Sequence, residues 1–423
     1  MSAEGPHAAA NPPSEIRLPV GWTFAALAGG LALGLAVAAA ARSALAPALT
    51  VAETVGGLWL DGLRMTIVPL VAALLFSGIA RTVAAAQAGR LARRALVLFF
   101  AILFAGAIMA ALVTPALLAL VPIPSDAAAS LREGLAGAEP GPVPTIADFF
   151  RSLVPTNALA AAANDAILPL IVFVALFALA ATRLVAGQRD TLVGLFDAIG
   201  EAMLLIIGWI LRIAPLGVLG LSFAVAAKSG SSAIAALVHY IVVVSAVGTV
   251  VFVAAYAVAF TLGRQSPMRF ARALLPAQAV ALSTQSSLAS LPAMLAACRA
   301  LGVREATADL VLPLAVALFR ATGPAMNLAV AIYVARWFGI ELTLPMLAAG
   351  VAVATLTTIG AVSLPGAISF VSSIGPIALA MGVPIGPLAL LVAVEMLPDL
   401  MRTLGNVTMD VAVTAAADRA GEG

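Results

Sequence analysis

Apolar runs long enough to cross a bilayer recur along this chain, at roughly 20–40, 57–80, 95–121, 166–186, 198–226, 234–262, 308–337 and 383–415. In lipid every backbone polar group must find an internal partner, and runs of this length satisfy that demand as helices. With 63% hydrophobic and 10% charged residues, the chain reads as an all-α polytopic membrane protein and not as a soluble enzyme. The net charge of +2 gives no reason to expect nucleic acid. A single cysteine, Cys298, excludes an internal disulfide, and two histidines, His7 and His239, leave little for a transition metal.

The basic residues set an orientation. With a cytoplasmic N-terminus and one crossing per run, the inner loops carry Arg81, Arg90, Arg93, Arg94, Arg183, Arg189, Arg264, Arg269, Arg272, Arg299 and Arg304, with Arg17 and Arg419 on the tails. The outer loops carry only Arg42, Arg132, Arg151, Lys228 and Arg336, as the positive-inside rule asks. Both termini are therefore expected in the cytoplasm. Residues 1–19 are polar and Pro-rich without a basic n-region, and read as a disordered cytoplasmic tail rather than a signal peptide. Residues 122–165, with PIPSD and AEPGPVP, read as an extracytoplasmic loop, and 419–423 as a second tail.

Two apolar stretches do not read as ordinary spans. Ala273–Ala297 has Ser283-Thr284-Gln285-Ser286-Ser287-Leu288-Ala289-Ser290-Leu291-Pro292 at its centre, with Arg272 before it and Arg299 after it, both on the inner side. Leu342–Met381 has Thr357-Thr358-Ile359-Gly360-Ala361-Val362-Ser363-Leu364-Pro365-Gly366 at its centre, between Glu341 and Pro384 on the outer side. Each stretch must enter and return, as a re-entrant hairpin whose tip exposes backbone and hydroxyl groups, tolerable at membrane depth only around a cavity. Hairpin plus following helix occurs twice from opposite faces, an inverted repeat with its site expected between the tips.

The last run carries the densest chemistry. At about 100° per residue, Asp399, Arg402, Thr403, Asn406 and Asp410 fall within about 100° of one another, with Glu395 a turn before. Such groups cost kilocalories each in a bilayer and normally face a partner, a cavity or a solute. An acid and a guanidinium three residues apart can hold a zwitterion by its ammonium and its carboxylate.

Together these features resemble the dicarboxylate/amino acid:cation symporter family, the bacterial and archaeal relatives of the glutamate transporters. The similarity covers about residues 20–418. It is strongest in Asp399-Leu400-Met401-Arg402-Thr403-Leu404-Gly405-Asn406-Val407-Thr408-Met409-Asp410, which matches the family's Asp-x-x-Arg-Thr-x-x-Asn-Val-x-x-Asp at every fixed position. Supporting matches are the serine-bearing first tip, Pro365-Gly366 in the second, and Pro155-Thr156-Asn157 with Leu168-Pro169 near the fourth span. The resemblance implies eight transmembrane helices plus two re-entrant helical hairpins, in a homotrimer whose transport domains slide as elevators in a bacterial inner membrane. Residues 20–94 (spans one and two) and 166–230 (spans four and five) would be scaffold. The moving part would comprise 95–121 (span three), 231–265 (span six), 266–304 (hairpin 1), 305–340 (span seven), 341–382 (hairpin 2) and 383–418 (span eight).

By the same resemblance, Asp399 receives an amino group and Arg402 a side-chain carboxylate. Thr403, Asn406, Ser286 and Ser287 complete the substrate site, and Ala361, Ser363, Pro365 and Gly366 form the hairpin-2 gate. Having both Asp399 and Arg402 favours aspartate or glutamate. Glu395 would orient Arg402 or influence Asp399.

The chain departs from the family in span seven. There the family's Asn-Met-Asp-Gly-Thr, which builds sodium sites, is replaced by Phe319-Arg320-Ala321-Thr322-Gly323. In span three, hydroxyl residues that assist a further sodium are replaced within Leu98–Leu103. Of the expected sodium ligands only Asn406 and Asp410 survive, so no metal site is expected. Losing an acid and gaining a guanidinium shifts local charge in the direction that bound sodium would supply. Arg320 therefore reads as a tethered cation partnering Asp410 or Asp399, with transport driven by protons or by exchange. No cofactor is expected. The alternatives left open are a sodium-coupled or C4-dicarboxylate symporter and a transport-inactive substrate-binding homologue. No His-Glu-x-x-His or Gly-x-Ser-x-Gly supports an enzyme.

Overall fold

The computed structural model describes residues 20–40, 42–87, 89–124, 154–164, 166–229, 232–360 and 366–419. Among them every regular element is an α-helix: α1 (Val20–Ala40), α2 (Arg42–Arg64), α3 (Ile67–Gln87), α4 (Arg90–Leu120), α5 (Ala158–Ala163), α6 (Ile167–Ala181), α7 (Ala186–Arg212), α8 (Ala214–Ser229) and α9 (Ser232–Thr261). There follow α10 (Pro267–Thr284), α11 (Leu291–Leu301), α12 (Glu305–Leu318), α13 (Thr322–Trp337), α14 (Leu344–Gly360), α15 (Gly366–Ala380), α16 (Leu388–Leu391) and α17 (Met396–Arg419). Among the described residues, six stretches are long and apolar enough to cross a membrane: Gly21–Ala40, Ala44–Gln87, Arg90–Leu120, Ala186–Arg212, Ile234–Thr261 and Glu305–Trp337.

Several expected spans are interrupted. The run over 57–80 straddles α2 and α3, which meet at Met65 and Thr66, where the Thr66 hydroxyl donates to the Leu63 carbonyl at 2.7 Å. A side chain that binds its own backbone in this way competes with the helical ladder. The run over 198–226 is likewise divided between α7 and α8, because Pro215 in the first turn of α8 lacks the N–H that would continue α7. The expected loop 122–165 ends in the short helix α5, capped by Asn157, whose side chain accepts from the Leu159 and Ala160 N–H groups. The tails 1–19 and 420–423 and most of that loop lie outside the described residues.

One layer joins α1 to α8 and α8 to α2, and α3 to α6 and α7. Close approach needs small residues there: a Cβ on Gly34 would lie 2.5 Å from the Phe223 carbonyl. Around α13 the packing is denser. Every residue from Thr322 to Ala335 is buried, with α4 and α9 on two sides and α14, α15 and α17 on others. The second hairpin, α14 with α15, packs on this centre, and the first, α10 with α11, packs on α17. The first ends at Gln285, whose left-handed backbone (φ 51°) stops α10. Its base is tied to α17, where Arg304 Nε lies 2.7 Å from Asp418 Oδ1 and the Thr307 hydroxyl donates to the same oxygen at 2.7 Å.

Candidate substrate site

The site forms where two helices are broken. The apolar run of span seven stops at Leu318, passes through extended Phe319 (φ −115°, ψ 102°) and restarts at Thr322. Pro324 sits in the new first turn, where a missing N–H costs little. The first turn of a helix has N–H groups without intrahelical partners. Here the Thr322 N–H donates to Asn406 Oδ1 at 2.9 Å, and the Thr322 hydroxyl lies 2.8 Å from the same oxygen and 3.1 Å from the Arg402 carbonyl. Asn406 of α17 thus caps α13. Since its oxygen is committed, its amide NH2 is the group left to donate to a ligand.

The polar face expected on the last span is present and buried: Asp399, Arg402, Thr403, Asn406 and Asp410 of α17, and Glu395 in the turn just before it, all lie inside. Arg402 is wired on three nitrogens. Nη1 donates to Asn327 Oδ1 at 2.6 Å, Nη2 to Glu395 Oε1 at 2.6 Å, and Nε lies 3.2 Å from Asp399 Oδ1. The Tyr240 hydroxyl, on α9, donates to the other Glu395 oxygen at 2.9 Å. Two acids and an amide thereby hold one guanidinium in a fixed plane. Glu395 is the orienting partner that the sequence suggested; Asn327 and Tyr240 were not foreseen. An amide alone in the apolar run Ala325–Ala335 was the available signal for Asn327.

Beside this wiring is a small, partly open pocket lined by Arg320 and Gly323 of the break, Asn327, and Arg402 and Asn406 of α17. Thr358 of α14 and Ser373 of α15 complete it from the second hairpin. Two guanidiniums, two amides and two hydroxyls face this space, and among the described lining residues there is no carboxylate. A Cβ on Gly323 would lie 3.1 Å from Thr358 Oγ1, so a hydroxyl from hairpin 2 fills room that a side chain at 323 would need. Asp399 and Thr403 are buried nearby but do not line the cavity. Ser286 and Ser287 do not line it either. Ser286 Oγ accepts from the Ala289 N–H at 3.2 Å, and the Ser290 hydroxyl donates to the Ser286 carbonyl at 2.9 Å, so the first tip is bonded largely to itself. Of the expected gate, Ala361, Ser363 and Pro365 lie outside the described residues, and Gly366 begins α15.

The replaced positions of span seven meet the replaced positions of span three. Phe319 and Phe99, both buried, stack with centroids 4.6 Å apart and planes at 14°. Two apolar rings offer no hard oxygen to a cation. Arg320, next in sequence, lies in the field of Asp399 and Asp410, opposed by that of Arg402. Asp410 is buried, and neither carboxylate oxygen has a hydrogen-bond partner among the described residues. His239 bridges elements away from the cavity, with Nδ1 3.1 Å from the Tyr333 hydroxyl and Nε2 2.9 Å from the Val121 carbonyl.

Residues 20–420 match the family described as the sodium:dicarboxylate symporter family. The chain belongs to that family. Among its relatives, the proton/glutamate-aspartate symporter of Escherichia coli (strain K12) is 28% identical over 367 residues, covering 83% of this chain and 81% of the relative. The proton/sodium-glutamate symport protein of Bacillus subtilis (strain 168) is 25% identical, covering 85% and 83%. The C4-dicarboxylate transport protein of Laribacter hongkongensis (strain HLHK9) is 25% identical, covering 86% and 82%. Family and relatives are transporters, and this member is a multi-pass membrane protein of the same kind. Their names divide over both substrate and coupling ion.

Proposed function

We propose that this member of the family is a secondary active transporter of an acidic amino acid, aspartate or glutamate, that works without sodium. Arg402 takes one carboxylate of the substrate and the free amide NH2 of Asn406 donates to it, while Asp399 offers counter-charge to an ammonium. Arg320 supplies the positive charge that a bound sodium supplies elsewhere in the family, and Asp410 is the acid it balances. Transport is then driven by protons, through Asp410, Asp399 or Glu395, or proceeds as exchange. Eight spans and two re-entrant hairpins, working as an elevator within a homotrimer of a bacterial inner membrane with both termini cytoplasmic, are the frame in which we read it. Hairpin 2 is the gate, since Thr358 and Ser373 bring it to the cavity.

One observation carries the reading: the break of span seven holds Arg320 and a buried Phe319 stacked on Phe99, where sodium coupling needs oxygen ligands. A buried carboxylate such as Asp410 is costly without a compensating positive charge, and a guanidinium anchored on the chain provides one at every stage of a cycle. The test is uptake of labelled L-aspartate and L-glutamate into proteoliposomes with an inward sodium gradient, an inward proton gradient, or neither. Accumulation without sodium supports the reading, and the proton arm then separates symport from exchange. Accumulation only with sodium overturns the tethered-cation role. Binding without uptake in any arm makes the protein a receptor rather than a carrier.

A further inference from the structure

His239 of α9 ties the end of span three to span seven, and its bonds fix where its protons can sit. Nε2 lies 2.9 Å from the carbonyl of Val121, the residue that ends α4. A carbonyl only accepts, so Nε2 carries a hydrogen. Nδ1 lies 3.1 Å from the Tyr333 hydroxyl of α13, and that hydroxyl is also 3.0 Å from the Ala236 carbonyl. With the Tyr333 proton directed at Nδ1, the ring is neutral. With a proton on Nδ1 itself, the ring donates to the Tyr333 oxygen and the hydroxyl proton turns to Ala236. Both ring nitrogens stay bonded in either charge state, so a proton can come and go without moving a side chain. The ring is half-buried beside exposed Leu120 and Val121, which leaves it open to water.

The elements packed on α9 bring few other charges to this end. From α4 comes only the Val121 carbonyl, and α13 carries an exposed Arg336 one turn past Tyr333. Lys228 at the end of α8 is paired with Glu53 at 2.5 Å, and Arg269 and Arg272 of α10 lie toward the other end of α9. Beside α17, Glu395 and Asp399 are both engaged by Arg402. Tyr333 packs edge-on against Tyr240 with centroids 5.3 Å apart, and Tyr240 donates to Glu395 at 2.9 Å. Two tyrosine rings therefore separate His239 from the acid that orients Arg402.

We propose that His239 is a proton-binding site on the outer side, separate from the acids around Arg402, and that its protonation tightens binding of an anionic substrate. Nδ1 takes the proton from water, Nε2 stays on Val121, and the Tyr333 hydroxyl redirects to Ala236. This rests on the transporter reading and the orientation given above. A cation gained at this end of α9 favours an anion bound beyond it, and the Tyr240–Glu395–Arg402 chain is where that anion is received.

The experiment is NMR of the full-length protein in detergent, with isotope-labelled histidine whose ring nitrogens are followed from about pH 10 to about pH 4. The sequence has two histidines, so His7→Gln leaves the His239 ring as the one signal. As pH falls, Nδ1 should gain a hydrogen while Nε2 keeps its own throughout. Loss of the Nε2 hydrogen at high pH, or no titration of either nitrogen, overturns the proposal. Tyr333→Phe removes only the hydroxyl, so Nδ1 of the neutral ring should move to the position of an unbonded nitrogen. An unmoved Nδ1 signal overturns the hydroxyl switch. The second arm is L-aspartate binding in sodium-free buffer to the wild type and to His239→Gln, which stays polar but takes no proton. Between about pH 8 and about pH 5 the wild type should gain about fivefold more affinity than the variant, an ordinary coupling between two sites. An equal change in both proteins overturns the link to the substrate site. The NMR arm needs no change at 239, so it decides the proton site even where His239→Gln fails to fold. No binding of L-aspartate to the wild type at either pH overturns the acidic-substrate reading instead, whatever the ring nitrogens show.

Discussion

The break in span seven and the polar face of span eight lie against each other but are built on opposite plans. Span eight matches the family's pattern and is wired around Arg402, which is bonded to Asn327, Glu395 and Asp399, while Asn406 caps the neighbouring helix. Span seven departs from that pattern, and its changes are compensated locally by an aromatic stack, a glycine and an arginine. On the reading proposed above, the difference teaches that anion recognition and cation coupling are separable. The polar face that would take a carboxylate lies on α17 and is braced by Asn327 and Tyr240 from neighbouring helices. The positions that would hold a cation come from two elements, and Phe99, Phe319 and Ala321 bring no side-chain oxygen to them.

The largest test of that contrast is Arg402→Met. It leaves Glu395 and Asp399 as buried acids without their cation, at a cost of about 3–5 kcal/mol in stability together with loss of substrate binding. Thermal unfolding of the detergent-solubilised protein, with and without L-aspartate, reads both effects. A variant of full stability would mean that the wiring of span eight is not what holds it. Next in size is Phe319→Ala, which opens a cavity against Phe99 and should lower stability by about 3 kcal/mol while uptake stays indifferent to sodium. Restoring the family's side chains with Phe319→Asn, Arg320→Met and Ala321→Asp sharpens the point: sodium should then raise L-aspartate affinity in a calorimetric titration. If it does not, the loss of coupling is not confined to this break.

Smaller effects follow at the seam between the two spans. Asn327→Ala leaves Arg402 Nη1 without its 2.6 Å acceptor. About 1–2 kcal/mol should be lost, read as a roughly tenfold rise in the Kd of L-aspartate. Gly323→Ala brings a methyl to 3.1 Å from Thr358 Oγ1, so hairpin 2 must shift by a few tenths of an ångström. An affinity loss of about threefold is expected, and an unchanged Kd would show that hairpin 2 is more yielding there than the packing suggests.

Much of the site was legible in the chain. Five polar residues from Asp399 to Asp410 share one face because a helix turns about 100° per residue, and that arithmetic needs no structure. The anomaly at Arg320 was legible too, as a guanidinium amid apolar neighbours. Ser286 illustrates the opposite case: its hydroxyl at a predicted tip is legible in the sequence, but that it accepts from the Ala289 N–H within the turn is not. Continuous hydrophobicity also concealed the breaks at Thr66 and Ile213, since an apolar run looks alike whether its helix is whole or divided.

The sequence by itself determined the helical membrane class, the family, and the polar stripe of the last helix, because each depends on composition or on short-range periodicity. Only the tertiary structure decided which atoms meet. That Asn406 caps α13, that Asn327 and Glu395 hold Arg402, and that Phe99 stacks on Phe319 are contacts between residues distant in sequence. Such contacts follow from how helices cross and break, and a hydrogen bond or a ring stack exists only where that packing brings its two partners within a few ångströms.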